Sequence, residues 1–276
     1  MIKNNYHTHC KYCHHAQGEV EDYVIHAIKH NFEELGMSDH APVIDNLCEL
    51  YGDEYAYFAS NMEHDKIDIY LKDIELCKEK YKDQIKIYSG FETEFLPKGI
   101  ARYKKLRNKV DYLILGVHYF EHENRVVTTY SDEVNPTTLK SYADACVVGL
   151  ESGLFNCLAH PDLFMMKYKN INGERKFDET AIKESRKIIE ACIKNNCYIE
   201  LNSNGLRGFA SNSPKENWNY PYYEFWEIAK EYKDLKIIIG ADAHNPINLT
   251  NENVQRVINF ANEIGLKIED KMEFNH

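Results

Sequence analysis

The sequence predicts an α/β fold made of repeated strand–helix units, arranged as a closed or distorted barrel of parallel strands. Short apolar runs of strand length alternate with segments of helical periodicity from end to end. Strands separated by helix-length connections form parallel sheets. Seven such units favour a barrel over an open, doubly wound sheet. The 276 residues show no internal repeat and no Pro/Gly/Ser-rich linker, so we expect one domain over residues 1–276.

The predicted elements alternate in order along the chain. Short, mainly apolar runs predict strands over residues 2–7, 34–38, 85–91, 112–117, 154–159, 197–201 and 235–240. Apolar residues spaced three or four apart predict helices over residues 20–31, 67–81, 98–108, 136–150, 180–194, 218–232 and 251–264. Between the second strand and the second helix, residues 41–63 are rich in Tyr, Asn and Asp and are predicted to be irregular.

Composition excludes several classes of protein. With 33 basic and 44 acidic residues the formal net charge is -11, which argues against a nucleic-acid binder with a broad basic face. A small anionic substrate held by local positive charge remains compatible with this charge. No apolar run is long enough for a transmembrane helix, and no export signal is recognisable. We therefore expect a cytoplasmic protein without a membrane partner, whose eight cysteines are reduced.

Polar residues that carry chemistry follow every predicted strand. In a barrel of parallel strands, all the carboxyl ends meet at one mouth, where barrel enzymes hold their active sites. Structural histidines would have no reason to collect there. The residues at these ends are His7 and His9, Asp39 and His40, Glu92 and Glu94, His118, His160, Glu200 and Asn202, and Asp242 and His244.

The pair His7 and His9 suggests a metal site. Residues two apart in a strand face the same side, so both imidazoles point at one region. By itself such a pair is more often two surface histidines. Together with histidines and carboxylates at the other strand ends, it favours a divalent metal such as Zn, Fe or Mn.

Three other features carry weaker signals. The spacing of Cys10, Cys13 and His14 matches a c-type haem attachment site, but that chemistry needs export. A redox or zinc Cys-x-x-Cys site is the alternative, although no second cysteine pair supports zinc. The turn containing Arg207 is either an ordinary Asn/Gly turn or an anion-binding loop with a bidentate guanidinium. The Tyr-rich residues 51–58 are either packing or a lid over the mouth.

In their order along the chain, the strand-end motifs resemble the PHP (polymerase and histidinol phosphatase) superfamily. The length and the turn Glu200-x-Asn202…Gly205-x-Arg207 are similar to its histidinol-phosphatase type. The matching segments are Tyr6-His7-Thr8-His9, His15-Ala16-Gln17-Gly18, Ser38-Asp39-His40, Gly90-Phe91-Glu92, Gly116-Val117-His118-Tyr119, Ala159-His160-Pro161-Asp162-Leu163 and Gly240-Ala241-Asp242-Ala243-His244.

The resemblance implies a distorted (β/α)7 barrel that holds up to three divalent metal ions. His14 competes with His15 as a ligand, and the family's spacing favours His15. Asp39 and Asp162 are expected to orient ligating histidines. The implied ligands are His7, His9, Glu92 and Asp242 for one metal; Glu92, His118 and His160 for a second; and His15, His40 and His244 for a third.

The resemblance also implies an activity. The expected reaction is hydrolysis of L-histidinol phosphate to L-histidinol and phosphate, a step of histidine biosynthesis, by attack of a metal-bound hydroxide. Glu92, His40 and His244 would form the catalytic set. Arg207 and Lys167 would bind the phosphate, although the family often has basic residues closer to its His-Pro-Asp motif than Lys167 is here.

Other functions stay open at this point. Another PHP phosphoesterase would act on a nucleotide or sugar phosphate. An amidohydrolase also has His-x-His on its first strand, but usually a metal-bridging lysine where this chain has Glu92. A metal-binding barrel without catalysis is the third alternative. The metal, the oligomeric state and the acidic residue that binds the substrate's ammonium, among Asp45, Glu49 and Glu94, are not determined by the sequence.

Overall fold

Seven parallel strands form the centre of the fold. The computed structural model describes residues 2–42, 62–130, 132–210 and 212–274. The strands are β1 (Asn4–Asn5), β2 (Glu34–Met37), β3 (Lys86–Thr93), β4 (Tyr112–Leu115), β5 (Tyr119–His122), β6 (Arg125–Thr128), β7 (Cys157–Leu158), β8 (Tyr198–Asn202) and β9 (Ile237–Gly240). The parallel sheet has the order β1-β2-β3-β4-β7-β8-β9, and β5 and β6 form a separate antiparallel hairpin.

The first and last strands of the sheet meet, so the sheet closes on itself. Beyond the ends of β1 and β9, Thr8 and Ala243 form a parallel bridge. The backbone N–H of His9 donates to the carbonyl of Ala243 at 2.8 Å, and the N–H of Ala243 donates to the carbonyl of His7 at 3.2 Å. The predicted distorted barrel is thereby confirmed, and its closure lies next to the histidine pair.

Helices follow the strands and cover the sheet. Their apolar faces contribute to one large buried core, as Val254, Val257 and Phe260 do in the last helix. Asn135 caps the helix that begins at Pro136 by accepting hydrogen bonds from two backbone N–H groups of the first turn. The helices are α1 (Val20–Lys29), α2 (Ile67–Tyr81), α3 (Ile100–Arg107), α4 (Pro136–Glu151), α5 (Glu179–Lys194), α6 (Tyr223–Ala229) and α7 (Glu252–Ile264).

The structure differs from the predicted elements in two places. The hairpin β5–β6 was not predicted, because its strands are short and half-exposed and carry no long apolar run. Helix α6 begins at Tyr223 and not at Trp218, because Pro221 interrupts the predicted segment and disfavours helical geometry in the residue before it. The expectation for residues 51–58 lies outside the described residues.

A second, smaller apolar cluster lies apart from the main core and includes the end of the chain. The ring of Phe274 lies 5.6 Å from that of Tyr6 and 5.0 Å from that of Tyr112. The Tyr112 hydroxyl donates to the carbonyl of Tyr6 at 2.6 Å, directly before the histidine pair. Across the described residues, every helix is too short or too polar to span a bilayer.

Candidate metal centre

The carboxyl ends of the parallel strands bring the nine predicted metal ligands into one cluster. Glu92, on β3, lies at its centre and is 1% exposed. Its Oε1 is 3.0 Å from Nε2 of His160 and 3.4 Å from Nε2 of His118. Its Oε2 lies 3.2 to 3.4 Å from ring nitrogens of His40, His7 and His9. Each carboxylate oxygen thus faces a different group of imidazoles, which is the arrangement of a carboxylate that bridges two cations.

Unpaired buried atoms show that this cluster fits a metal ion. Nε2 of His7, Nε2 of His9 and Oδ1 of Asp242 are buried and have no hydrogen-bond partner among the described residues. The Asp242 oxygen lies 3.1 Å from the His9 nitrogen and 3.7 Å from the His7 nitrogen. Leaving such groups unpaired costs about 1–3 kcal/mol each. A divalent cation accepts all three lone pairs, so this donor set is that of a divalent metal site.

Two further groups of donors adjoin the first. Ligand atoms of His40, Glu92 and His118 lie within 4.8 Å of one another, as do those of His9, His40 and His244. The ring of His15 lies 5.1 Å from that of His40 and 4.9 Å from that of His244.

The competing histidine faces away from this cluster. Nε2 of His14 lies 2.8 Å from a carboxylate oxygen of Glu63, and both side chains are about half-exposed. His14 also has a left-handed backbone, with φ of 66°. Of the two adjacent histidines, His15 is therefore the one that the structure places in the cluster.

Carboxylates outside the cluster hold the ligating rings in place. Nδ1 of His7 donates to Glu200 at 2.7 Å, and Nδ1 of His118 donates to Glu94 at 2.8 Å. In both rings this leaves Nε2 free to bind a cation. Asp39, which was expected to orient a histidine, lies 3.5 Å from Nδ1 of His9. The orienting role of Glu200 and Glu94 was not predicted, although their position after a strand was a usable signal.

We expected Asp162 to orient a predicted ligand histidine, but its carboxylate binds other partners among the described residues. Its Oδ2 accepts hydrogen bonds from the backbone N–H of Tyr222 and from Nε1 of Trp226. Burial raises the pKa of Asp162 to about 7, although these two donors oppose the shift. Asp162 therefore anchors the segment before α6, which carries Tyr220 on the wall of the cavity.

Two glycines make room for the carboxylates of the centre. A Cβ on Gly116 would lie 2.3 Å from Oε1 of Glu92, and a Cβ on Gly240 would lie 1.7 Å from Oε1 of Glu200. Both distances are far below van der Waals contact. Hence the glycines in the segments that precede His118 and Asp242 are required by the close approach of these carboxylates.

The backbone is strained at two of the predicted ligands. His160 has a φ of 27° and Asp242 a φ of 47°, in a region that side-chain-bearing residues rarely adopt. Such conformations cost about 1–3 kcal/mol each and persist where the surrounding structure enforces them. Both residues follow strands at the mouth, where the turn of the chain directs them to the cluster.

Charges within the cluster shift the pKa values in opposite directions. Burial opposes the charged forms of His7 and His9, but the neighbouring carboxylates, with Asp242 close to both rings, raise their pKa values well above the ordinary range. Burial likewise opposes ionisation of Glu92, but the positive charges of the surrounding histidines keep its pKa well below normal. Burial and the charge on His9 lower the pKa of His244 to about 4. The carboxylates of the cluster therefore favour the protonated forms of His7 and His9.

The two cysteines of the Cys-x-x-Cys segment are buried beside the cluster. The Sγ of Cys10 donates to Asp39 at 3.2 Å. Burial raises the pKa of the Cys10 thiol well above its usual value and raises that of Cys13. Both thiols are therefore protonated at neutral pH, which does not favour a redox pair.

A cavity of about 640 Å³ opens onto the cluster. Its lining includes Arg207, Tyr119, Tyr130 and Met166. Arg207 is exposed, and its guanidinium has no hydrogen-bond or ion-pair partner in the part of the chain that the structure describes. The expectation for Lys167 differs from the structure. This residue is exposed and is not part of the lining, because the short helix that ends at Met166 presents the methionine to the cavity in its place.

Comparison with known families agrees with this geometry. The family model described as the PHP domain matches residues 5–204. The chain belongs to the PHP domain family. The matched segment of this PHP protein contains seven of the nine predicted metal ligands, together with Glu200 and Asn202. The two predicted ligands outside it are Asp242 and His244, which follow the last strand.

Relatives of this PHP protein carry related names. A protein of Schizosaccharomyces pombe named "Probable histidinol-phosphatase" is 24% identical over 87% of this chain and 80% of its own length. The "Histidinol-phosphatase" of Bacillus subtilis is 21% identical over 88% of this chain and 94% of its own length. A crystal structure of histidinol phosphate phosphatase from Lactococcus lactis, complexed with Zn, L-histidinol and phosphate, has a TM-score of 0.71 at 16% identity and covers 99% of both chains. This structural likeness confirms the fold.

Proposed function

We propose that this protein is a metal-dependent phosphomonoesterase that hydrolyses L-histidinol phosphate to L-histidinol and phosphate, as a step of histidine biosynthesis. The observation that carries the proposal is the cluster of imidazoles and carboxylates with unpaired buried donor atoms, lying under a cavity that also presents Arg207. The choice of substrate is supported by the names of the similar proteins.

The nine clustered residues would hold up to three divalent ions, Zn, Fe or Mn. Bound there, the cations supply Lewis acidity, which neutralises phosphate charge and activates water as the nucleophile. Glu92 would be the residue shared by two of the sites, because its two oxygens face different groups of imidazoles.

The protein's own residues prepare the substrate and the ligands. The guanidinium of Arg207 presents a planar fork that fits two phosphate oxygens. Glu200 and Glu94 fix the tautomers of His7 and His118, so that each ring presents a lone pair. Burial lowers the pKa values of His40 and His244, and positive charge on His9 adds to the effect, so both rings are neutral ligands at neutral pH. Within the catalytic set these two histidines would therefore act as electron-pair donors.

The proposal is tested by measuring phosphate release together with metal content. The purified protein is assayed on L-histidinol phosphate, a nucleoside monophosphate and a sugar phosphate, before and after treatment with a chelator. We expect hydrolysis of L-histidinol phosphate to be the most efficient, to stop on chelation and to return on adding Zn or Mn. The variant Glu92→Gln should lose both metal and turnover. A preference for the nucleotide or sugar phosphate would refute the assigned substrate, and activity that survives complete metal removal would refute the mechanism.

A further inference from the structure

Glu94 differs from the other carboxylates of the cavity wall. Both oxygens of Glu92 and Oδ1 of Asp242 face the imidazoles of the cluster, and Oδ2 of Asp242 accepts hydrogen bonds from the side-chain amides of Asn202 and Asn204. Glu94 also lines the cavity, but only its Oε1 is engaged, by Nδ1 of His118 at 2.8 Å. Its Oε2 makes no hydrogen bond or ion pair with the residues that the structure describes, and the side chain is 10% exposed. One oxygen of a nearly buried carboxylate is thus left for a ligand in the cavity.

Two aromatic side chains, Tyr119 and Tyr130, line the same cavity as Glu94. The ring of Tyr130 stacks on His118, the partner of Glu94, with the centroids 5.6 Å apart and the planes 17° from parallel. A cavity that presents both a carboxylate and aromatic rings is a favourable environment for an organic cation.

The cavity therefore presents two fixed charges of opposite sign outside the histidine cluster. Arg207 lies after β8, and Glu94 lies after β3, on another part of the wall. A ligand that satisfies both charges carries an anionic group at one position and a cationic group at another. A neutral alcohol esterified to phosphate would leave the Glu94 oxygen without a partner and would be bound less well.

We propose that Glu94 is a specificity-determining residue whose Oε2 accepts hydrogen bonds from an ammonium group of the substrate. The preferred substrates are then phosphate monoesters of amino alcohols, a class that includes L-histidinol phosphate. This inference rests on the proposed function and adds the group that selects the amine. Glu94 accordingly has two roles, since Oε1 orients His118 and Oε2 binds the substrate.

The test separates these two roles by comparing two substrates in each protein. The substrates are L-histidinol phosphate and 3-(imidazol-4-yl)propyl phosphate, which lacks only the amine. The variants are Glu94→Gln, Glu94→Asp and, as a matched control, Glu200→Gln. Glu200 also orients a ligating histidine but does not line the cavity. The readout is the ratio of kcat/KM for the two substrates, and the metal content of each protein is recorded. A defect in the metal centre lowers both kcat/KM values by the same factor and therefore leaves their ratio unchanged.

We expect the wild type to favour the aminated substrate by about 10- to 100-fold in kcat/KM, because the substrate without the amine loses one charge-assisted hydrogen bond to Glu94. Glu94→Gln should bring the ratio close to one, chiefly by raising KM for L-histidinol phosphate, and Glu94→Asp should give an intermediate ratio. Glu200→Gln should lower both rates and keep the wild-type ratio.

Two results would overturn the inference: a wild type that does not distinguish the substrates, and a Glu94→Gln variant that keeps the wild-type ratio. A wild type that hydrolyses other phosphomonoesters but neither of these two would refute the proposed function, and the inference with it. That outcome is recognised in the wild type alone, before any variant is compared.

Discussion

The replacement of Glu200 by glutamine tests whether a residue that binds no metal controls metal affinity. Three donors converge on this carboxylate: Nδ1 of His7 at 2.7 Å, the backbone N–H of His160 at 3.1 Å and Nδ2 of Asn202 at 2.7 Å. A glutamine offers one carbonyl oxygen and turns an NH₂ group toward at least one of these donors. If the NH₂ group faces His7, the ring must move its proton to Nε2, the atom that faces Glu92.

The expected effect is a large loss of metal affinity with retention of the fold. Loss of an orienting partner lowers metal affinity by about 10- to 100-fold, or ~1.4–2.7 kcal/mol. The assay is a zinc titration of the metal-free protein in competition with a chelator, with circular dichroism as a check of folding. The control is Glu190→Gln, which removes the charge of an exposed carboxylate bonded to Tyr232. If Glu200→Gln binds zinc within about twofold of the control, the reasoning about the tautomer of His7 is wrong.

Two other substitutions and one measurement of zinc binding probe different parts of the site. Arg207→Ala should raise KM for L-histidinol phosphate by about 10- to 150-fold through loss of a charge-assisted contact, with Arg207→Lys recovering part of it and metal content unchanged; wild-type kinetics would contradict this. Gly116→Ala places a Cβ 2.3 Å from Oε1 of Glu92 and needs a shift of about 1 Å to reach ordinary contact, so elemental analysis should show reduced metal in a folded protein. Because the pKa values of His7 and His9 are raised, zinc must displace protons from the metal-free protein. Calorimetry in buffers of different ionisation enthalpy should therefore detect proton release and tighter binding at pH 8 than at pH 6, whereas pH-independent affinity would contradict the shift.

Two glutamates that are close in sequence, Glu92 and Glu94, contact different parts of the site. Glu92 lies 1% exposed among imidazoles that come from four different strand ends, and its neighbour two residues on, Glu94, faces both His118 and the cavity. The end of β3 and the residue that follows it thus supply the proposed bridging ligand and the proposed amine-binding group. Changes at these two positions should therefore affect metal loading and substrate choice, respectively.

Several features followed from the sequence alone because they depend on local patterns. The alternation of short apolar runs and helical periodicity identified the seven parallel strands of the barrel. The positions of His7, Glu92 and Asp242 at strand ends predicted that they would meet, since parallel strands share one carboxyl edge. The order of these motifs also led to the PHP family, which the comparison confirmed.

The tertiary structure decided the features that depend on contacts between distant segments. His7 and Glu200 are 193 residues apart, and nothing in the local sequence of either indicates their hydrogen bond. Lys167 has the charge expected of a phosphate ligand, but the course of the backbone after Met166 leaves it outside the cavity. Periodicity reports which side of an element is buried, whereas the partner of a side chain is set by how the elements pack. For this reason the clustering of the strand-end residues could be predicted from the sequence, whereas the pairing of Glu200 with His7 and of Glu94 with His118 could not.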